Sequence, residues 1–366
     1  MTQTVYLDHN ATTPVRPEAA AAVAEALAAG GNASSVHGFG RRARRLIEEA
    51  RERVAALVGA PSVSVVFTSG GTEANALALQ GCGRRRIVAS AVEHPSVLKA
   101  VPGIQAVPVD GDGVIDLEAL DRLLGAAAEP ALVSLMLANN ETGVLQPVAE
   151  AARIARRHGA LVHCDAVQAA GKIPVDMPTL AVDFLTLSAH KLGGPPGVGA
   201  LVAAEGAPLA AQVRGGGQER GLRAGTENLP GIAGFGAAAA AVDLGAFARL
   251  AAWRDDFEGR ARDRIPGLRI ASTGAPRLPN TSCLLAPGRD GATQVMALDL
   301  AGVAVSAGAA CSSGKAVPSP VLRALGSSDA EAASAIRVSL GWTSRAEDLE
   351  YFLLRWAETA ARRAAA

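Results

Sequence analysis

Lys191 stands in Ser188-Ala-His-Lys-Leu-Gly-Gly-Pro-Pro-Gly-Val-Gly, between two short apolar, β-prone runs at 183–187 and 199–204. Four glycines and two prolines in the connection make a tight, shaped turn. A lysine in a polar loop is by default a surface residue. Held and desolvated between Ser188 and His190, its amine could instead form a Schiff base with a carbonyl cofactor. Ser69-Gly-Gly-Thr-Glu, including Gly71 and Thr72, follows a strand-like run at 64–68 and opens a helix through Leu79. Unpaired backbone N–H groups and the positive end of the helix dipole would make that turn an anion site. Its spacing fits neither GxGxxG nor a Walker loop, so a single phosphate is the economical ligand. Taken alone, the glycines would serve equally well as a plain turn. Cys311 lies among small residues, Ser306 to Lys315, where a thiol is accessible and reactive. A lone cysteine is otherwise usually a small buried hydrophobe. Arg337, in a β-prone run, needs an anion: an internal partner or a substrate carboxylate.

The elements that must position these groups are short apolar runs at 64–68, 86–91, 104–109, 131–137 and 160–164, with the two that flank Lys191. About seven strands alternating with helices predict an α/β sheet covered on both faces. Polar residues gather after the strands: Glu93 and His94, then Asn139, Asn140 and Glu141, then Asp165 and Gln168. Open α/β sheets bind ligands at that edge. Any one of these residues alone reads as a loop cap or a satisfied core group, and their shared placement is the argument.

Outside that sheet, Pro17 opens an alanine-rich helix to about Ala29, and a second helix begins near Arg41. Its arginine run, interleaved downstream with Glu48, Glu49 and Glu52, reads as a solvated face rather than a nucleic-acid patch. Residues 215–228 are too polar and glycine-rich for core and predict a functional loop that reaches a partner subunit. From about Leu244 the pattern changes to a long helix and strands near 268–271, 282–285 and 303–305, which predicts a smaller α+β domain. Ser344-x-x-Glu347 reads as the capping box of a last helix.

At 366 residues the chain is long enough for two domains, and its 49% hydrophobic content can fill their cores. Lys plus Arg and Asp plus Glu both number 35, so there is no global electrostatic reason to expect nucleic acid or an anionic membrane as a partner. The expected substrate is a small molecule. Cys82, Cys164, Cys283 and Cys311 form no CxxC pair, so neither a metal site nor a disulfide framework is expected. A reducing compartment fits that usage. With no signal-like N-terminus and no membrane-length apolar run, a cytoplasmic location is expected.

Together these segments resemble the cysteine desulfurases of the class V aminotransferase superfamily, in the branch with NifS-like and IscS-like enzymes. The resemblance rests on Tyr6 to Pro14, Thr68 to Glu73, Glu93-His94, Asn139 to Gly143, Asp165 to Gln168, Ser188 to Lys191, Arg223 to Thr226, Ala310 to Ser313 and Ile336-Arg337, in family order. It implies a homodimer of fold type I dependent on pyridoxal 5'-phosphate. The expected division is a large domain at 14–247, with a mostly parallel sheet, and a small one made of 1–13 and 248–366, carrying a mobile cysteine loop at about 306–318. Carried over by position, Lys191 is the Schiff-base lysine, and Gly71, Thr72, Ser188 and His190 hold the phosphate. Thr226 reaches the neighbouring subunit's phosphate. Asp165 pairs with the ring nitrogen, Gln168 meets the ring hydroxyl, and His94 stacks on the ring. Asn140 and Arg337 orient the substrate carboxylate, and Cys311 accepts sulfur from L-cysteine.

The implied products are L-alanine and a persulfide on Cys311, passed to an acceptor protein, an iron–sulfur scaffold or a sulfurtransferase. The cysteine segment is similar to the long-loop branch. The chain stops soon after a helix ending near Arg363, where many members of that branch carry a longer tail that helps dock the scaffold, which leaves room for another acceptor. The alternatives are another class V reaction, such as transamination or selenocysteine cleavage, sulfur donation for tRNA thiolation, and a silent binding scaffold. A transaminase does not need Cys311, and a silent scaffold would have lost some of Lys191, Asp165, Cys311 and Arg337.

Overall fold

Seven strands form the large sheet in the order β2-β8-β7-β6-β5-β3-β4. Preceded by β1 (Val5–Tyr6), they are β2 (Val65–Thr68), β3 (Arg86–Ser90), β4 (Gln105–Val107), β5 (Ala131–Ser134), β6 (Leu161–Asp165), β7 (Phe184–Ser188) and β8 (Gly199–Ala203). The computed structural model describes residues 4–308 and 318–364, with side chains in the last helix to Thr359. Pairings from β4 through β7 are parallel, whereas β8 runs antiparallel to both β7 and β2. The Lys191 turn accounts for the exception, because it joins β7 to β8 without the crossover helix that a parallel neighbour would need. Strand β2 therefore points the same way as β3, β5, β6 and β7. Their carboxyl ends, each followed by a polar segment, share one edge.

Alternate strand residues enter two different cores. Val65, Phe67, Val88, Val133, Val162 and Leu185 face one helical layer, while Val66, Ile87, Ala89, Leu132 and Phe184 face the other. Two-sided burial of this kind explains why the strands read as continuous apolar runs. The helix Gly38–Ala56 begins three residues earlier than the expected Arg41 and packs Ala50 against the helix Leu229–Ala240. A Cβ at Gly236 would lie 2.5 Å from the Ala50 Cα, so only glycine permits this approach.

The rest of the chain builds a second core. Strands β9 (Arg269–Ile270), β10 (Thr281–Leu285), β12 (Ser306–Ala307) and β13 (Ala335–Ser339) form an antiparallel sheet ordered β12-β13-β10-β9. Strand β11 (Val303–Ala304) pairs with β1, which brings Val5 and Leu7 into that core beside Phe257, Phe352 and Trp356. Each such large side chain is worth roughly 1.5–3 kcal/mol on burial. After β1 the chain passes through Asp8, His9 and Asn10 to the large sheet. Asn10 N–H donates to Ser339 Oγ at the end of β13.

The last helix, Ala346–Ala364, corrects one expectation. Ser344 Oγ accepts from Gly341 N–H, and Asp348, not Glu347, accepts from the Arg345 N–H. A reciprocal capping box forms instead at Ser328 and Glu331. Among the described residues no single helix is long and apolar enough to cross a membrane.

Candidate active site

A cavity of about 270 Å³ opens at the carboxyl edge of the large sheet. It is lined by Gly71 and Thr72 after β2, His94 after β3, Asn140 after β5, Asp165 and Gln168 at and after β6, Ser188, His190 and Lys191 at and after β7, and Arg337 from β13. Thr226 lies elsewhere, exposed in a separate cleft with Ser69, Arg223 and Asn228. Cys311 falls outside the described residues.

Lys191 is half-buried, and its Nζ donates to the carbonyls of Asn10 and Ala11 at 2.6 and 2.8 Å. Asp165 is held by neutral donors: Asn75 Nδ2 at 2.8 Å and the Val167 N–H at 3.0 Å. At His94, Nδ1 accepts the Ser96 N–H at 3.1 Å and caps the short helix Pro95–Leu98. Burial lowers the His94 pKa, and Lys191 adds to the effect against the opposing pull of Asp165. The ring is therefore neutral at neutral pH, with its proton on Nε2. Burial, then the Lys191 charge, pushes His190 down to about 4.

The helix Gly71–Gly81 has no side-chain cap, so its first N–H groups are available to an anion. A Cβ on Gly71 would sit 3.0 Å from Val167 Cγ2 and 3.5 Å from Ser188 Cβ, narrowing the cradle that these residues line. Arg337 is 1% exposed. It donates to Asp8 Oδ1 at 2.7 Å and to the Asn140 carbonyl at 2.9 Å, while its buried Nε has no partner among the described residues. Of the two alternatives left by the sequence, internal pairing is therefore realised at one edge of the guanidinium. Asn139 shapes the turn that presents Asn140, its Oδ1 accepting the N–H groups of Glu141 and Thr142. Taken together, these groups suit a small ring that carries a carbonyl, a protonated nitrogen and a phosphate.

Several contributors were not singled out from the sequence. Asn75 fixes Asp165 from 90 residues away, Lys172 is buried beneath Gln168, and Asn10 links Lys191, Gln168, Lys172 and Asn140. Asn10 did lie in a recognised motif, but without a role. Within residues 215–228, which are mostly exposed or half-buried, Glu219 is buried and paired with Arg51, which the sequence did not signal.

Glu93 gives a pH prediction. Its Oε1 accepts the Met136 N–H, Oε2 has no partner among the described residues, and burial, reinforced by Asp165, pushes its pKa up to about 8. A carboxyl whose folded pKa is raised contributes stability below its unfolded value, and that contribution is lost as pH rises through the folded value. Glu93→Gln keeps the acceptor and cannot ionise. Its unfolding free energy should therefore fall less than that of the wild type between about pH 5 and 8, by about 1.4 kcal/mol for each unit of the Glu93 shift. Parallel denaturation curves across that range for both proteins would show Glu93 to be ionised in the fold.

The family model for Aminotransferase class-V matches residues 5–352. A cysteine desulfurase of Cereibacter sphaeroides is 46% identical over 359 residues, covering 94% of this chain and 92% of its own length. Cysteine desulfurase IscS of Dictyoglomus turgidum is 40% identical over 370 residues, covering 96% of this chain and 93% of that relative. Among solved structures, the NifS-like protein of Rickettsia africae superposes with a TM-score of 0.90 at 35% identity, over 98% of this chain and 100% of the other.

Proposed function

The chain belongs to the class V aminotransferases and, among them, to the cysteine desulfurases, and from that premise we propose how its residues hold pyridoxal 5'-phosphate and take sulfur from L-cysteine. The observation that carries the reading is one cavity onto which the Lys191 amine, the Asp165 carboxylate and the uncapped helix start at Gly71 all converge.

Pyridoxal phosphate, when bound, supplies an electron sink for negative charge beside the substrate amine. In this reading Lys191 tethers the cofactor and, once released by substrate, moves the α-proton as general base. Asp165, locked by Asn75 and Val167, keeps a proton on the ring nitrogen. His94 covers the ring face as a neutral imidazole. Gly71, Thr72, Ser188 and His190 take the phosphate, and Gln168 meets the ring hydroxyl. The substrate carboxylate belongs with Asn140 and Arg337, which line the cavity together. Thr226, exposed on a loop pinned by the Glu73–Arg223 ion pair, reaches the phosphate of a partner subunit in a homodimer.

Cys311 thiolate attacks the substrate sulfur, so that an S–S bond forms and the Cβ–S bond breaks. The electron pair stays with the three-carbon fragment, which takes up a proton and leaves as L-alanine. The persulfide sulfur then passes to an acceptor protein for iron–sulfur cluster assembly. Residues 1–13 and 248–366 form the smaller domain, in whose sequence Cys311 falls, beside the 14–247 domain that holds the cavity.

Intact mass after brief exposure to L-cysteine without reductant tests this, with alanine measured in the same tube. The expected result is one or more added sulfur atoms, removed by reductant, mapped to Cys311 and absent from Cys311→Ala. A keto acid in place of alanine would mean transamination instead.

A further inference from the structure

Lys172 is a second lysine behind the cavity, 3% exposed, and the proposed chemistry leaves it unused. Its Nζ donates to Gln168 Oε1 and to Asn10 Oδ1, both at 2.7 Å. Asn10 cannot turn its amide the other way, because its Nδ2 donates to the Asn140 carbonyl at 3.2 Å and to Thr281 Oγ1 at 2.9 Å, and that carbonyl can only accept. Asn280 Nδ2 approaches Asn10 Oδ1 from a further side at 3.2 Å. Lys172 is thus met by one fixed oxygen and has its next N–H left for Gln168.

The consequence is an orientation. An amide has two faces of opposite polarity, and the donor at Lys172 demands that Gln168 turn its oxygen inward. Gln168 Nε2 must then point the other way, where it donates at 2.9 Å to the Asn10 carbonyl, the oxygen that Lys191 Nζ also approaches. Gln168 lines the cavity, whereas Lys172 does not.

We propose that Lys172 is a positioning residue: by holding Gln168 Oε1 it presents Gln168 Nε2 to the cofactor's ring hydroxyl as a hydrogen-bond donor and prevents the amide from presenting oxygen. This rests on the cofactor reading given above. Burial, with Lys191 and Arg337 repelling it, lowers the Lys172 pKa well below the usual lysine value. A neutral amine still carries two N–H groups, enough for both oxygens.

A donor on the ring hydroxyl stabilises its anion and so favours the deprotonated form of the bound cofactor. Its loss should move the acid–base transition of the cofactor's visible absorption band to higher pH. The test is a double-mutant cycle on purified holoenzyme, read as that transition in wild type, Lys172→Met, Gln168→Leu and the double variant. Lys172→Met is expected to raise the transition by about one pH unit, a tenfold change in proton affinity. In the Gln168→Leu background, with no amide to orient, it should add nothing.

Shifts that add, or no shift in Lys172→Met, would overturn the inference while leaving the proposed function standing. A wild-type protein that binds no pyridoxal phosphate and shows no such band would overturn the proposed function, and this inference with it. Should Lys172→Met fail to fold, Lys172→Gln carries the same cycle, since it keeps a polar partner for Asn10 but is one atom shorter. A smaller upward shift, again lost without Gln168, supports the inference; an additive one overturns it.

Discussion

Lys191→Ala is expected to lower alanine formation from L-cysteine by roughly a thousandfold or more, and to strip the purified protein of its yellow colour, while its melting stays close to that of the cofactor-free wild type. The size of the loss follows from two roles lost together, covalent tether and general base, the second alone being worth roughly 10²–10⁴-fold. The mild effect on stability follows from the surroundings. The Asn10 carbonyl keeps the Gln168 Nε2 donor, and Lys191 stands at a cavity wall that water can reach. Truncations of that kind usually cost about 1 kcal/mol or less. Lys172 cannot take over, because its Nζ is turned toward Gln168 and Asn10. Lys191→Arg should lose activity to a similar degree, since a guanidinium keeps the charge but is no nucleophile near neutral pH. Visible spectra, calorimetric melts and alanine assays on the three proteins check each part, and a coloured, active Lys191→Ala protein would put the Schiff base elsewhere.

The parts of this site that were legible in the sequence share one property: they follow a buried strand. His94, Asn140, Asp165 and Lys191 each come soon after an apolar run, so strand order and a common direction were enough to gather them at one edge. Asn75 and Lys172 had no such signal. Asn75 is a single polar residue between alanines in a helix, and Lys172 stands in the turn between β6 and the helix Met177–Leu180. Their partners come from other elements, which no local pattern encodes. The capping box at Ser344 misled because two frames one residue apart both supply an acid, and Asp348 rather than Glu347 faces back to the helix start. Cys311, legible as a thiol among small residues and given its role by resemblance, lies outside the described residues, so that role rests on sequence and is tested by the mass measurement.

Arg51 and Glu219 were not singled out from the sequence, and they carry the largest stability prediction. The arginines of the run from Arg41 to Arg45 in the helix Gly38–Ala56 are solvent-facing as expected, whereas Arg51, beyond that run, falls at helical spacing from Ile47 and Val54 on the buried face. That phase was readable. Inside, Arg51 donates to Glu219 through Nη1 and Nη2 at 2.7 and 2.8 Å, and its guanidinium stacks 4.8 Å from the Phe67 ring centroid. Glu219 also accepts the Phe67 N–H at 2.8 Å, so one carboxylate ties the helix, strand β2 and the 215–228 loop together. It holds Glu219 and Arg220 at φ of 45° and 57°, left-handed conformations that non-glycine residues avoid. Glu219→Ala removes the acceptor and strands a buried guanidinium and an edge-strand N–H, while the remaining carboxylate partner, Glu48, is half-exposed. Breaking a buried pair from one side costs about 3–5 kcal/mol, a large share of the ~5–15 kcal/mol that typically holds a domain together. Glu219→Gln, which keeps one oxygen, should lose about half as much, and denaturant unfolding of the two variants checks the order. The same carboxylate binds at Phe67, immediately before the Thr68–Gly71 turn that leads into the anion cradle. Glu219→Ala should therefore also weaken retention of the cofactor, several-fold on dialysis, although Glu219 lies outside the cavity that would hold it.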